Sequence, residues 1–239
     1  MPRVVVLIPA YNEADRIADT VAAALAMPGI DDLVVIDDGS LDNTVDVAEE
    51  AGANTICLEE NSGKGAALNV GVQEFEADIY LMIDADLGSC ASETCRLLEP
   101  VLAGHADMSI AAMKAPQGHK GGFGFVMRLS RWAIRRLGGM IVTAPLSGQR
   151  AFRRELIEAI GGFEEGFGVE TAMTIDALRN GFTIVEVPLP LTHRVTGRNL
   201  AGFMHRGRQF RDIVRVIRKR IEGRQTKSGR EVREHDGGQ

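Results

Sequence analysis

Ile79-Tyr80-Leu81-Met82-Ile83-Asp84-Ala85-Asp86 places five mostly apolar residues directly before two carboxylates that flank a small residue. The apolar run has the length of a buried strand, and the carboxylates fall at its end. Outward from it the same plan recurs. Val4–Ile8, Leu33–Asp37, Thr55–Leu58, Met108–Ala111 and Thr183–Val187 are further short runs, several rich in β-branched residues. Helical patterns at Glu13–Ala26, Thr44–Glu50, Lys64–Phe75 and Ser92–Ala103 separate the first five strands. This rhythm predicts an α/β fold: a doubly wound, mostly parallel sheet with helices on both faces. In such sheets ligands bind outside the carboxyl ends of the strands.

Those ends carry acid. The first strand ends in Pro9-Ala10-Tyr11-Asn12-Glu13, the second in Asp37-Asp38-Gly39-Ser40 and the fourth in Asp84-Ala85-Asp86. Helix capping could account for Ser40 or Asp42 and for Ser92. It does not account for three acidic clusters on one edge, whose repulsion is costly without a cation or hydrogen-bond donors. Hard oxygen ligands of this kind suit Mg²⁺ or Mn²⁺, held by few protein groups so that substrate phosphates complete the shell. Phosphatases with an aspartyl nucleophile also follow a strand with Asp-x-Asp, but in the pattern Asp-x-Asp-x-Thr/Val and on the first strand. Here Leu87-Gly88 follow the fourth strand, which disfavours that chemistry. Asn61-Ser62-Gly63-Lys64-Gly65-Ala66 opens a helix, where glycines, the helix N-terminus and the Lys64 charge suit an anion. A glycine-rich turn with a solvated lysine explains the stretch equally well, and it does not match a P-loop.

The chain has 239 residues, 45% hydrophobic and 25% charged, which fits one globular domain and excludes disordered, collagen-like and coiled-coil classes. Cys57, Cys90 and Cys95 are too few for a disulfide framework and match no zinc spacing, so a reducing compartment is expected. No apolar run approaches the ~20 residues of a membrane span, and the N-terminal residues lack a signal-peptide pattern. A soluble, cytoplasmic protein is the expectation. The net charge of −6 hides an asymmetry: residues 1–192 carry −14 and residues 193–233 carry +10. An acidic body argues against a nucleic-acid partner. Phe203, Phe210, Ile213, Val214, Ile217 and Ile221 repeat at helical spacing with Arg206, Arg208, Arg211, Arg215 and Arg218 between them. They predict a basic amphipathic helix over 200–222, packed on its own domain or on a second subunit, with a homodimer expected. A peripheral membrane contact through that helix is the alternative. Residues 223–239 read as a polar, poorly ordered tail.

In this order, Val6-Leu-Ile-Pro-Ala-Tyr-Asn-Glu13, Val34-Val-Ile-Asp-Asp-Gly-Ser-x-Asp42, Gly63-Lys-Gly-x-Ala-Leu-Asn69 and Asp84-Ala-Asp86 resemble the family-2 glycosyltransferases of GT-A fold. The second half resembles one subgroup, the glucosyl-3-phosphoglycerate synthases and related retaining enzymes. Pro145-Leu-Ser-Gly-Gln-Arg-Ala-Phe-Arg-Arg154, Gly166-Phe-Gly-Val-Glu170 and His193 after the next strand carry that likeness. The resemblance implies a glycosyltransferase domain over 1–199, with a nucleotide-sugar-binding half at 1–115 and an acceptor-binding half at 116–199.

It also implies roles. Pro9, Ala10, Tyr11 and Glu13 would line the nucleotide pocket, with Glu13 available to a ribose hydroxyl. Asp38 would accept a hydrogen bond from the base, a uracil imide, and Lys64 would face the nucleotide or its diphosphate. Asp84 and Ala85 would hold the ribose or donor sugar. Asp86 and His193 would bind Mg²⁺ or Mn²⁺, the ion neutralising charge on the departing diphosphate. Glu170 would act at the catalytic centre: as the base toward an acceptor hydroxyl in an inverting enzyme, or orienting sugar or acceptor in a retaining one. An acidic residue in a first helical turn also simply complements the helix dipole. Gly148, Gln149 and Arg150, with Arg194 and Arg198, would form the side that takes a small anionic acceptor such as a phosphoglycerate. A polyprenyl phosphate is the alternative acceptor. Rivals from other classes are a sugar-nucleotide nucleotidyltransferase, which would carry a glycine-rich basic loop after strand one, and a nucleotide-binding module without turnover.

Overall fold

The computed structural model describes residues 1–113, 123–164, 166–191 and 211–222. Seven strands form one sheet in the order β3-β2-β1-β4-β6-β5-β7. They are β1 (Val4–Ala10), β2 (Asp32–Asp37), β3 (Asn54–Cys57), β4 (Ile79–Met82), β5 (Met108–Met113), β6 (Arg150–Arg153) and β7 (Ile184–Leu189). The helices are α1 (Ile17–Leu25), α2 (Thr44–Glu50), α3 (Lys64–Glu74), α4 (Leu98–Leu102), α5 (Phe123–Gly138), α6 (Arg154–Ile160) and α7 (Val169–Arg179). Residues 211–222 form a further helix, α8.

The strands read as continuous apolar runs because both faces of the sheet are covered. Alternation still sorts them. Val4, Val6, Ile8, Leu33, Val35, Ile79 and Leu81 point into one buried cluster, while Val5, Leu7, Val34, Ile36, Tyr80 and Met82 point into the other. Helix α1 closes the first cluster with Ile17, Val21 and Ala24, spaced for one helical face. Truncating Leu81, which is fully buried, to alanine costs about 2–5 kcal/mol through lost transfer energy and the cavity left behind.

Two features depart from the sequence expectation. β6 runs antiparallel between β4 and β5, so the sheet is mixed. The pattern of short apolar runs misses β6 because only Ala151 and Phe152 of its four residues are apolar. Phe152 is fully buried, pairs with Tyr80 across the ladder at a ring separation of 5.7 Å, and meets Phe163 edge-on at 5.9 Å. The helix expected over Ser92–Ala103 is instead a 3₁₀ stretch, Gly88–Leu97, leading into α4. β7 continues through Pro188, which an edge strand tolerates because its outer side needs no ladder donor.

Strands β1, β2 and β4 are parallel, so their C-terminal ends share one edge. β6 opposes β4 with Met82 facing Arg150. Residues just before 150 therefore arrive beside residues just after 82. This reversal lets the second half of the chain reach the acidic edge.

A third apolar cluster joins α5, α7 and α8 through Val126, Ala133, Ile134, Ile175, Ile213 and Ile217. Of the basic helix expected at 200–222, residues 211–222 are helical, with the apolar stripe on this domain; 200–210 and the tail 223–239 lie outside the described residues. Among the described residues no helix is long and apolar enough to cross a membrane.

Candidate active site at the carboxyl edge of the sheet

The loops after β1 and β2 are sewn together by short polar side chains. Asn12 N donates to Ser40 Oγ at 2.8 Å, Leu41 N to Asn12 Oδ1 at 2.8 Å and Glu13 N to Thr44 Oγ1 at 2.9 Å. Asn12 holds φ 55°, a left-handed conformation asparagine tolerates better than most residues. Ser40 thus ties one loop to the other rather than capping α2, whose N-cap is Asn43. Tyr11 projects with 41% of its surface exposed, whereas Pro9 is half-buried and Ala10 buried.

Asp38 is buried and accepts backbone hydrogen bonds from Ser62 N at 2.7 Å and Gly63 N at 2.8 Å. Burial pushes its carboxyl up, the two N–H groups oppose this and Asp37 adds to it, leaving the pKa above the ordinary aspartate value. The turn between needs Gly39: φ is +74°, and a Cβ would lie 2.8–2.9 Å from the Glu60–Asn61 backbone. In this geometry Asp38 anchors the loop that begins α3.

That loop delivers Lys64, the first residue of α3, to the centre of the site. Its Nζ donates to Asp84 Oδ1 at 2.7 Å and to Glu170 Oε1 at 2.9 Å. Burial alone would pull the ammonium down, but Asp84 and Glu170 outweigh it and hold its pKa above the ordinary lysine value. Asp84 Oδ2 accepts Gln149 Nε2 at 2.6 Å, and Gln149 Oε1 accepts Ser147 Oγ at 3.1 Å. Gly148 makes this approach feasible, since a Cβ there would overlap the Asp84 carboxylate. Helix α7 places Glu170 in its first turn, as the sequence predicts.

Asp86 follows two residues later and is half-buried. Among the described residues its carboxylate takes no hydrogen bond or ion pair, in contrast to Asp84. A single hard oxygen ligand with its lone pairs left available fits a divalent cation that draws the rest of its shell from phosphate. No group of three or more metal-binding side chains occurs among the described residues. His193, Arg194 and Arg198 lie outside them.

Arg150, expected to grip an anionic acceptor, is fully buried. Its Nε donates to Ser147 O at 2.9 Å, Nη1 to Thr174 Oγ1 at 2.8 Å and Nη2 to Pro145 O at 3.3 Å. Burial lowers its pKa to about 10, with Glu170 and Asp84 pulling the other way. Arg150 braces the 145–149 loop from beneath. Gly148 and Gln149 likewise face Asp84.

Two residues that bear on the site escaped the sequence reading. Thr20, fully buried on α1, donates from Oγ1 to Ala85 O at 2.7 Å and accepts from Gly88 N at 2.8 Å. Arg16 Nη1 donates to Asp86 O at 3.3 Å. Together they clamp the turn carrying Asp84, Ala85 and Asp86. A hydroxyl within the apolar stripe of α1 is the sequence signal, because buried polar groups need partners.

A family model described as glycosyl transferase family 2 matches residues 5–161. The glycosyltransferase AglJ of Haloferax volcanii is 32% identical over 207 residues, covering 81% of this chain; the chain spans 64% of that protein's length. The polyprenol monophosphomannose synthase of Mycolicibacterium smegmatis is 29% identical over 238 residues, 92% of this chain and 89% of that protein. Among solved structures, glucosyl-3-phosphoglycerate synthase from Mycobacterium tuberculosis, in complex with Mn²⁺, uridine diphosphate and glucosyl-3-phosphoglycerate, matches with a TM-score of 0.77 and 28% identity. The match covers 92% of this chain and 80% of that one. The same enzyme has been crystallised with Mg²⁺ and uridine diphosphate.

Proposed function

The chain belongs to glycosyl transferase family 2, and from that premise we propose that it moves a sugar from a nucleoside-diphosphate donor, a UDP-sugar, to a small anionic acceptor such as a phosphoglycerate. The observation that carries this reading is the division of labour after β4. Asp84 is fixed by Lys64 and Gln149, while two residues on Asp86 keeps its carboxylate available. The first suits a neutral polyol held by hydrogen bonds, the second a cation.

Asp86, with His193, would hold Mg²⁺ or Mn²⁺, and that ion supplies Lewis-acid stabilisation of the charge developing on the leaving diphosphate. The chain's own groups do the rest. Tyr11 offers an exposed ring for a base to stack on at the end of β1. Lys64 stays protonated through the neutral range and brings fixed positive charge to the diphosphate side. Glu170, half-buried, accepts Lys64 Nζ at 2.9 Å and is placed to orient a sugar or acceptor hydroxyl. These groups are set before substrate arrives, so little reorganisation accompanies reaction.

A second reading, transfer to a polyprenyl phosphate, draws support from the 29% identity to a polyprenol monophosphomannose synthase along nearly the whole chain. Incubation with UDP-glucose and Mn²⁺, with 3-phosphoglycerate in one arm and a detergent-dispersed polyprenyl phosphate in the other, separates the two by mass spectrometry of the products. Asp86→Ala should abolish transfer and Mn²⁺-dependent UDP binding. Unchanged Mn²⁺-dependent UDP binding in that variant, or no transfer to either acceptor from any UDP-sugar tried, would defeat the proposal.

A further inference from the structure

Residues 108–154 contain nine Lys and Arg and no Asp or Glu, so most of the 14 basic residues of positions 1–192 fall in this one stretch. Within it, α5 turns Val126, Ala133 and Ile134 into the third apolar cluster. Its opposite side exposes Arg128, Arg131, Arg135 and Arg136, and between them Trp132, 52% exposed. Just beyond, Ile141 is 71% exposed. Among the described residues Arg128, Arg135 and Arg136 make no ion pair. A tryptophan and an isoleucine standing in solvent, ringed by arginines where the rest of residues 1–192 is acidic, is the composition of a face that lies in a lipid headgroup layer.

We propose that the outward face of α5 docks on an anionic lipid surface. Charge chooses this occupant. A nucleic acid would meet the acidic remainder of residues 1–192, and a second copy would set like-charged faces together. Arginine with tryptophan, by contrast, matches the negative surface and the amphipathic boundary of a bilayer. The face adjoins the site: Thr171 Oγ1, next to Glu170, donates to Ser130 Oγ on the buried side of α5 at 3.1 Å. Docking therefore lays the acceptor half against the membrane. This inference goes beyond the acceptor assignment and holds for either acceptor.

Trp132 is the chain's single tryptophan, so its emission reports directly on this face. The full chain is mixed with phosphatidylglycerol vesicles or with phosphatidylcholine vesicles, following Trp132 emission and sedimentation. Expected are a blue shift and co-sedimentation with the first only, both lost at high salt. Arg128→Ala/Arg135→Ala should bind roughly 25-fold more weakly, about fivefold per arginine, with the thermal midpoint of the wild type. No binding to phosphatidylglycerol vesicles overturns the proposal. So does undiminished binding by that variant while Arg211→Ala/Arg215→Ala on α8 loses it, or a vesicle-independent dimer abolished by Trp132→Ser.

Discussion

Lys64 and Glu170 lie 106 positions apart in the chain and meet at 2.9 Å. The contact joins the N-termini of α3 and α7, and Asp84 on the other side of the ammonium extends it to β4. One cation thus fixes two carboxylates, from different halves of the chain, on a shared centre.

Lys64→Met leaves Asp84 and Glu170 without that cation. A loss of about 1–3 kcal/mol of stability is expected, together with loss of transfer. Because the folded pKa is raised, the stabilisation is complete below the ordinary lysine value near 10.4 and fades only as pH rises through the higher folded value. Denaturant titrations at pH 6 and pH 9 should give the same gap between wild type and variant. A gap that closes by pH 9 contradicts this account.

Thr20 is fully buried and holds Ala85 O and Gly88 N, so its expected role is that of a positioning residue. Thr20→Val should weaken Mn²⁺ binding in the presence of UDP by about 10–100-fold, the range seen when groups behind a metal ligand are removed. Thr20→Ser keeps the hydroxyl and should restore it. Calorimetric titration of Mn²⁺ measures both; equal affinities in the two variants would make Thr20 a packing residue only.

Gly148→Ala drives a methyl group into the Asp84 carboxylate. Either the 145–149 loop or Asp84 must shift. The expected result is loss of transfer with Mn²⁺ binding less affected, because the strain falls on Asp84 rather than Asp86. Single-turnover kinetics and Mn²⁺ titration on the same sample separate the two.

Glu164 receives Lys219 at 2.9 Å and Arg220 at 3.0 Å from α8. Burial would raise its carboxyl, but these two partners win and hold the pKa below the ordinary value. The contribution is therefore present above the unfolded value near 4.3 and lost as pH falls through the depressed one. Glu164→Gln should cost about 1–3 kcal/mol at pH 7, shrinking toward zero in acid. Urea titrations from pH 7 to pH 3 test the slope.

Sequence reading reached the parts of this fold that depend on local pattern. β1, β2 and β4 announce themselves as apolar runs, and the acids at their ends follow from chain order alone. β6 does not, because Arg150 is buried by tertiary partners that lie before and after it in the chain, Pro145, Ser147 and Thr174. The resemblance places Arg150 on the acceptor side, whereas its buried partners are visible only in the fold. A buried arginine and a ligand-binding one look alike until the surrounding carbonyls are known. Lys64 and Glu170 were each legible as charges beside a helix start, but their meeting was not, since nothing local encodes a contact across 106 residues. Thr20 signals only that its buried hydroxyl needs a partner; that the partners are Ala85 and Gly88, 65 and 68 residues on, is not encoded locally.

The position of β6 has a consequence for how the chain folds. Its two sheet neighbours, β4 and β5, both precede it in sequence, so neither can complete its ladder until a strand some 40 residues beyond β5 threads between them. Such non-local insertion is slow by comparison with hairpin or helix formation, and it leaves an open edge meanwhile. Gln149 enters on the leading end of that same strand. Insertion of β6 therefore also carries Gln149 to Asp84, so the sheet closes and the two halves of the chain meet at the acidic edge in the same step.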